Sequence, residues 1–252
     1  MKKIGKKLNT YWFLLRFYLY IIVFLVPRIP YYRHLEKKGK RDIVVEKAFR
    51  VVQKWADYSV KIGKSTITVK GLEKIPQNEP VLFLSNHESY ADIPILIHAL
   101  RTADFGFMLK STIAEIPFIK NYLEYMSCVT VNQSDIRQAA RALREAEAVL
   151  NSGSSLLIFP EGKRTFSNSP ADFKNGAFKI VAKTRVKVVP ICLHNVHLVY
   201  EGNEHCIGPA DITVTVLDPI ETADLTKAEI SALSDRVKGA ICDELKNFMQ
   251  SD

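Results

Sequence analysis

Two kinds of apolar pattern alternate along most of this chain. Short runs rich in Val, Ile, Leu and Phe are typical of strands, and between them apolar residues recur every three or four positions, as on one helix face. The strand-like runs are residues 66–69, 81–84, 105–109, 128–131, 155–159, 186–193 and 212–217. The helix-like segments are residues 94–100, 116–125, 135–150, 173–184 and 226–249. This alternation predicts an α/β fold over residues 65–252, a single sheet with helices on both faces.

The first 64 residues have a different texture. Residues 10–26 form an apolar run. It is interrupted by Arg16 and is followed by Pro27 and Pro30, which close it. A helix that spans a bilayer needs about 20 residues, so this run is of marginal length. We interpret it first as an interfacial helix, with a true span as the alternative. No small-residue cleavage site follows it, as a signal peptide would require.

A second amphipathic helix is predicted over residues 41–62. Its mainly basic face lies opposite an apolar face made of Val44, Ala48, Val51, Val52, Trp55, Tyr58 and Ile62. Such a helix either packs on the domain or lies on lipid, and we expect both contacts. Residues 1–64 are therefore predicted to form a membrane-associating pair of helices that precedes the sheet domain.

The net charge of +8 arises at the amino terminus of the chain. Residues 1–40 contain ten Lys and Arg against one acidic residue, whereas the rest of the chain is nearly neutral. Positive charge beside the most apolar segment fits an anionic bilayer and not a nucleic acid, which would require the charge on the folded domain. Basic residues flank both ends of the apolar run, so the positive-inside rule gives no crossing direction.

The four cysteines are Cys128, Cys192, Cys206 and Cys242. They are scattered, with no short paired spacing of the kind that zinc sites or disulfide frameworks show. This usage favours core cysteines in a reducing environment. We therefore predict a membrane-associated protein on the cytoplasmic face, without a bound metal.

The first candidate for chemistry follows the buried run 81–84. It is the segment Asn-His-Glu-Ser-Tyr-Ala-Asp, in which Asp92 lies five residues after His87. A regular helix would splay two side chains at that spacing, so the pair can meet only if the chain turns between strand and helix. An imidazole held by a carboxylate is a general base, although one His–Asp spacing is by itself a weak signal.

A second polar segment follows the apolar run 155–159. It reads Phe-Pro-Glu-Gly-Lys-Arg-Thr and contains Glu161, Gly162 and Arg164. A guanidinium beside loop N–H groups binds phosphate or carboxylate, and the glycine permits close approach of the backbone. Glu161 would accept a hydrogen bond from a polyol or hold Arg164 in place. A solvated turn with a local Glu–Arg pair is the alternative.

Together the two segments resemble the lysophospholipid acyltransferase family, which includes the 1-acylglycerol-3-phosphate acyltransferases. Asn-His-Glu-Ser-Tyr-Ala-Asp is similar to the family's Asn-His-x4-Asp motif, and Phe-Pro-Glu-Gly-Lys-Arg-Thr is similar to its Phe-Pro-Glu-Gly-Thr-Arg-Ser motif. Val189, Pro190 and Ile191 resemble its fourth block. The basic, apolar start of the chain resembles the membrane-binding helices that precede the domain in some bacterial members.

The resemblance implies roles for particular residues. His87 would deprotonate the acceptor hydroxyl, with Asp92 orienting it, and the hydroxyl would attack an acyl thioester directly. The acceptor's glycerol and phosphate would be bound by Lys110, Glu161, Gly162, Lys163, Arg164 and Thr165. Pro190 and Ile191 would shape the acyl side of the cleft. The donor would be acyl-CoA or acyl-carrier protein, the acceptor lysophosphatidic acid, and no cofactor or metal would be required.

Three positions depart from the family pattern. Gln133 stands where the second block usually has an arginine, unless Arg137 substitutes for it; Arg137 also belongs to a stripe that could simply be solvated. Lys163 and Thr165 replace a threonine and a serine. These departures keep open another lysolipid acceptor. Two further alternatives are a non-catalytic lipid-binding protein and a metal site that adds His194, His197 or His205 to His87 and Asp92.

Overall fold

The computed structural model describes residues 2–132 and 134–251. Within these ranges a seven-stranded sheet forms in the order β1-β7-β6-β2-β5-β3-β4. The strands are β1 Thr66–Lys70, β2 Val81–Ser85, β3 Phe105–Lys110, β4 Val129–Val131, β5 Ser155–Ile158, β6 Lys187–His194 and β7 Asp211–Val216. The predicted α/β class is confirmed, and every strand-like run became a strand.

Five neighbouring strands, β6, β2, β5, β3 and β4, run parallel. Their carboxyl ends therefore meet at one edge of the sheet, where polar segments after separate strands come together. Register places Leu84 beside Ile158 of β5 and beside Pro190 of β6. The segments that follow β2 and β5 thus leave the sheet as direct neighbours. We call this edge the carboxyl edge.

The helices cover both faces of the sheet. They are α1 Lys2–Tyr20, α2 Ile29–Lys37, α3 Arg41–Gly63, α4 Asp92–Ala99, α5 Ile119–Tyr125, α6 Ile136–Asn151, α7 Gly176–Thr184 and α8 Lys227–Ser251. One apolar core includes residues of α3, α4 and α5, and a second, on the opposite face, includes residues of α6, α7 and α8. Alternate β2 residues divide between the two cores, with Phe83 in the first and Leu84 in the second.

The amino-terminal helices pack directly on the sheet domain. Val44, Ala48 and Val52 of α3 are buried in the same core as Phe83 of β2. These are the positions whose spacing predicted an apolar face, so the expected packing on the domain is confirmed. The boundary predicted at residue 64 remains a prediction, because the shared core joins the two parts.

The helical path extends beyond the predicted residues 10–26 and continues through Pro27 and Pro30. Ile21–Leu25 forms a π-helical turn, Val26–Arg28 a 3-10 turn, and α2 follows directly. Each proline lies in the first turn of its own segment, where a backbone N–H has no intrahelical acceptor. Residues Ile4–Lys37 consequently form one helical stretch, long and apolar enough to cross a membrane by length and composition.

In the sheet domain, helices α4, α5 and α7 begin two or three residues away from the predicted start. Helix α4 starts at Asp92 and includes Pro94 within its first turn, where a proline is tolerated. Helix α5 starts at Ile119, because Phe118 has a left-handed φ of 69° that interrupts the helical path. Helix α7 starts at Gly176; the backbone N–H of Lys174 is bound instead to the carbonyl of Pro160 at 2.8 Å.

Candidate active site

His87 and Asp92 meet at the carboxyl edge, where the chain turns from β2 into α4. His87 Nδ1 lies 2.6 Å from Oδ2 of Asp92. The same oxygen accepts hydrogen bonds from the backbone N–H groups of Glu88 at 2.8 Å and Ser89 at 3.1 Å. The non-helical turn therefore closes the five-residue gap, as the spacing required. We call residues 86–92 the catalytic loop.

The contacts of His87 leave one ring nitrogen for chemistry. Because Nδ1 lies against the Asp92 carboxylate, Nδ1 carries the proton and Nε2 is the atom that can accept one. The ring stacks on Phe159 with centroids 4.0 Å apart and an interplanar angle of 14°. The His87 side chain is 19% exposed, so it is held on one side and accessible on the other.

Asp92 is fully buried at the start of α4. Burial raises the pKa of its carboxyl, and hydrogen bonds from His87, Ser89 and Glu88 partly offset this rise. Among the residues that the structure describes, its second oxygen, Oδ1, has no hydrogen-bond partner. The hydrogen bonds of this carboxylate are therefore made by Oδ2, to His87 and to the backbone of the loop that carries His87.

Glu161 joins the segment after β5 to the catalytic loop. Its Oε1 accepts the backbone N–H of His87 at 2.7 Å, and its Oε2 accepts that of Ala171 at 2.7 Å. The residue is 1% exposed. Burial raises the pKa of its carboxyl, against the lowering effect of these two N–H groups. Both oxygens are engaged within the protein, which gives Glu161 a positioning role; contact with a substrate remains a prediction.

Arg164 lies on an aromatic platform beside the catalytic loop. Its guanidinium carbon is 3.5 Å from the centre of the Tyr90 ring and 5.9 Å from that of Phe166. Tyr90 belongs to the catalytic loop, and Arg164 belongs to the segment after β5. A guanidinium that stacks on a ring directs its N–H groups outward in its own plane, where they can bind an anion.

The other predicted binding residues lie along the same edge. Gly162 has a φ of +70°, a conformation that glycine adopts without strain. Thr165 donates its backbone N–H to the carbonyl of His87 at 2.9 Å, and its hydroxyl reaches the same oxygen at 3.3 Å. Lys163 is exposed beside Arg164, and Lys110 is exposed at the end of β3. Thr165 thus serves the loop, while the two lysines face outward.

The sequence patterns indicated no role for Asn86 and Glu88, two buried residues of the catalytic loop. The Asn86 amide exchanges hydrogen bonds with the backbone of Leu193, at 2.8 Å to its N–H and 2.9 Å to its carbonyl. Glu88 accepts from Asn86 at 3.2 Å, from the Val196 N–H at 2.7 Å and from the His197 N–H at 3.3 Å. The signal that the sequence offered for Glu88 was an ionisable residue shortly after the apolar run 81–84.

Glu88 is fully buried. Burial raises the pKa of its carboxyl from an ordinary 4.5 to about 7, and hydrogen bonds from His197 only partly oppose the rise. His197 Nδ1 lies 3.3 Å from the carboxylate. The group therefore anchors the catalytic loop to the segment after β6 and titrates near neutral pH.

Other residues considered in the sequence lie as follows. Pro190 and Ile191 are buried in β6, and Arg137 is exposed at the start of α6, with its N–H donated to Asp135 at 2.8 Å. Gln133 lies outside the described residues. His194 stacks on Phe248, and His205 lies edge-on to Tyr200. Over residues 2–132 and 134–251 no group of three or more His, Cys, Asp and Glu is arranged to hold a metal ion.

Comparison with known proteins gives a consistent result. A family model described as Acyltransferase matches residues 66–194, which include the whole catalytic loop and the segment after β5. The chain is 35% identical over 163 residues to a 1-acyl-sn-glycerol-3-phosphate acyltransferase of Chlamydomonas reinhardtii, covering 63% of this chain and 48% of that protein. It is 29% identical over 182 residues to one of Borreliella burgdorferi, covering 72% of each.

The chain spans about half the length of the algal relative and of a chloroplastic 1-acyl-sn-glycerol-3-phosphate acyltransferase of Arabidopsis thaliana, which is 32% identical and of which 48% is covered. Among solved structures, the 1-acyl-sn-glycerophosphate acyltransferase PlsC of Thermotoga maritima superposes with a TM-score of 0.81. The two chains are 24% identical, and the match covers 99% of this chain and 98% of that one. This likeness shows the fold.

Proposed function

Because this chain belongs to the acyltransferase family, we propose that it moves a fatty acyl group from a thioester donor to the free hydroxyl of lysophosphatidic acid. The product is phosphatidic acid. The observation that carries the proposal is the 2.6 Å contact between His87 and Asp92 at the carboxyl edge, beside the Arg164 platform. The relatives named as 1-acyl-sn-glycerol-3-phosphate acyltransferases support this acceptor.

The chemistry follows from the tautomer of His87. Nε2 removes the proton of the acceptor hydroxyl as its oxygen attacks the thioester carbonyl, and a tetrahedral intermediate forms. The intermediate collapses as the carbon–sulfur bond breaks, and the imidazolium returns the proton to the thiolate. Asp92 stabilises the imidazolium, and Phe159 holds the ring plane. The enzyme forms no covalent bond and requires no cofactor.

The acceptor's phosphate is bound, in this proposal, by Arg164 with Lys110 and Lys163. All three are cations at the carboxyl edge, and Gly162 lets the backbone approach the ligand between them. Arg164 alone among them is pre-oriented, by Tyr90. A bidentate guanidinium then sets the distance between the phosphate and the hydroxyl that His87 deprotonates.

In this proposal the amino-terminal helices hold the site at a membrane surface. Helix α1 exposes a row of large apolar side chains, which includes Tyr11, Trp12, Leu15 and Leu19. Its opposite side packs on α3, where Phe17 contacts Trp55, and α3 in turn packs on the sheet domain. An apolar face outward and a domain behind it suit a helix that lies in the interface, and the basic residues of α2 and α3 suit anionic lipid on the cytoplasmic face.

An acyl-transfer assay on the purified protein tests the proposal. The acceptors are lysophosphatidic acid and lysophospholipids with larger head groups, each offered with acyl-CoA and with acyl-carrier protein. We expect transfer to lysophosphatidic acid, abolished in His87→Ala while circular dichroism and vesicle binding stay unchanged. Transfer only to a different lysolipid would show that the acceptor is that lysolipid and not lysophosphatidic acid. Full activity of His87→Ala would overturn the mechanism.

A further inference from the structure

One carboxylate from outside both motifs holds the middle of the catalytic loop. Oε2 of Glu201 accepts the hydroxyl of Ser89 at 2.6 Å, and Oε1 accepts the backbone N–H of Tyr90 at 2.9 Å. The Ser89 hydroxyl in turn accepts the N–H of Ala91 at 3.0 Å. Ser89 is 1% exposed, so its hydroxyl depends on these protein partners.

The two residues that Glu201 holds lead to the two halves of the site. Ser89 donates its own N–H to Oδ2 of Asp92 at 3.1 Å, and that oxygen holds His87. Tyr90 presents the ring on which Arg164 lies. A displacement of the Ser89–Tyr90 backbone would therefore disturb both the general base and the arginine platform.

The segment that carries Glu201 is fastened at its other end to α1. Asn203 Oδ1 accepts a hydrogen bond from Lys6 Nζ at 3.0 Å, and Ile207 donates its N–H to the hydroxyl of Thr10 at 2.9 Å. We call residues 201–207 the connector. Its two ends thus join the catalytic loop to the helix that exposes a lipid-facing row of apolar residues.

We propose that Glu201 is a positioning residue for acyl transfer and that the connector keeps the catalytic loop in register with α1. The hydrogen bonds of Glu201 go to Ser89 and Tyr90, and through these two residues it acts on His87 and Arg164. The proposal rests on the proposed function, since its main readout is acyl transfer. Its physical basis is that a misplacement of about 1 Å at a reacting group can cost about a hundredfold in rate.

The contacts predict a particular kinetic signature. Loss of the Glu201 carboxylate should lower kcat, because Asp92 and His87 lose alignment, and should raise KM for the acceptor, because the Arg164 platform moves. KM for the thioester donor should change little. A general loss of folded protein would instead lower kcat alone, in proportion to the folded fraction.

The main test compares Glu201→Ala with Glu201→Gln in the full chain, with phospholipid vesicles of fixed composition. Alanine removes both acceptors, and we expect kcat to fall about tenfold to a hundredfold. Glutamine keeps one acceptor for the Tyr90 N–H and can donate to the Ser89 hydroxyl, so it should restore most of kcat and of the acceptor KM. Equal defects in the two variants, or none in Glu201→Ala, would overturn the positioning role.

The matched control is Glu145→Ala. Glu145 is also partly exposed and hydrogen-bonded, to Arg141 at 2.8 Å, but it lies on α6. Its kinetics should equal those of the unsubstituted protein. Transfer by the unsubstituted protein with loss in His87→Ala establishes the proposed function separately, so a failure of the Glu201 prediction and a failure of that function give different results.

Two further variants separate the branches of the proposal. Tyr90→Leu keeps the backbone N–H that Glu201 accepts but removes the ring, so it should raise the acceptor KM and leave kcat within about threefold. Thr10→Val removes the acceptor of the Ile207 N–H and should lower kcat with vesicle binding unchanged. An unaltered kcat in folded Thr10→Val would overturn the connector's link to α1, and a large fall of kcat in Tyr90→Leu would overturn the division of roles.

Discussion

The backbone N–H of His87 donates a hydrogen bond to Oε1 of Glu161 at 2.7 Å, which joins two segments 74 residues apart. The carbonyl of His87 accepts the backbone N–H of Thr165 at 2.9 Å, so both backbone polar groups of His87 face the second segment. The proposed general base is therefore positioned by the segment that carries Arg164, the arginine proposed to bind the acceptor's phosphate. Register between β2 and β5 makes the contact possible, because their carboxyl ends are adjacent.

We expect Glu161→Gln to lower both kcat and stability. A glutamine keeps one acceptor but presents an N–H₂ group to the other backbone N–H, which leaves a buried donor unsatisfied. Such a defect costs about 1–3 kcal/mol. Urea unfolding measures the stability, and initial rates at saturating substrates measure kcat. Glu145→Gln on α6 is the control, and a Glu161→Gln protein with unchanged kcat would contradict the positioning role.

Arg164→Ala should raise KM for the acceptor about tenfold or more and leave KM for the donor within a factor of about two. The reason is that a hydrogen bond between charged groups, such as a guanidinium and a phosphate, contributes about 1.5–3 kcal/mol. Steady-state kinetics with each substrate varied in turn measure the two constants. Arg144→Ala, at an exposed position on α6, serves as the matched control. Equal effects on both constants would count against phosphate binding by Arg164.

The pKa of Glu88 predicts a pH dependence of stability. Burial raises that pKa from 4.5 to about 7, so between these values the folded protein holds a proton that the unfolded chain has released. The contribution of Glu88 to the free energy of unfolding is therefore greatest below about pH 4.5, falls as pH rises through about 7, and changes by up to about 3 kcal/mol in all.

Glu88→Gln removes this titration. Raising the pH from 5 to 7.5 should then shift the difference in unfolding free energy between Glu88→Gln and the unsubstituted protein in favour of the variant. Urea unfolding at both pH values measures it. The carboxyls of Asp92 and Glu161, whose pKa values burial also raises, are present in both proteins and act in the same direction in each. A difference independent of pH would refute the assignment to Glu88.

The exposed face of α1 should carry membrane binding. Trp12 is 54% exposed and Leu15 57%, and burial of each side chain in lipid would contribute about 1.5–3 kcal/mol. Trp12→Ser and Leu15→Ser should each weaken vesicle binding about tenfold or more, as measured by co-sedimentation, with the circular dichroism spectrum unchanged. Ile136→Ser alters a side chain that is 87% exposed on α6 and should bind normally; an equal loss there would show that general apolar exposure decides binding.

Much of the fold was accessible from sequence because its signals are local. The seven apolar runs became strands, and Asp135 caps α6 by accepting the N–H groups of Arg137 and Gln138. The apolar run 10–26 did not indicate that the helical path continues through Pro27 and Pro30, where π and 3-10 turns place each proline at a position that needs no N–H.

For the site, the sequence by itself determined which residue types are present and that they follow strand ends. It predicted the His87–Asp92 pair, which the turn after β2 brings to 2.6 Å. Only the tertiary structure decided that Glu161 holds the His87 backbone and that Tyr90 supports Arg164. It also decided that Glu88 of the catalytic loop accepts from the segment after β6, whereas Glu201 of that segment accepts from the loop. Strand order sets these partners, because a carboxylate accepts from whichever donors the fold brings to it, and those donors lie up to 112 residues away along the chain.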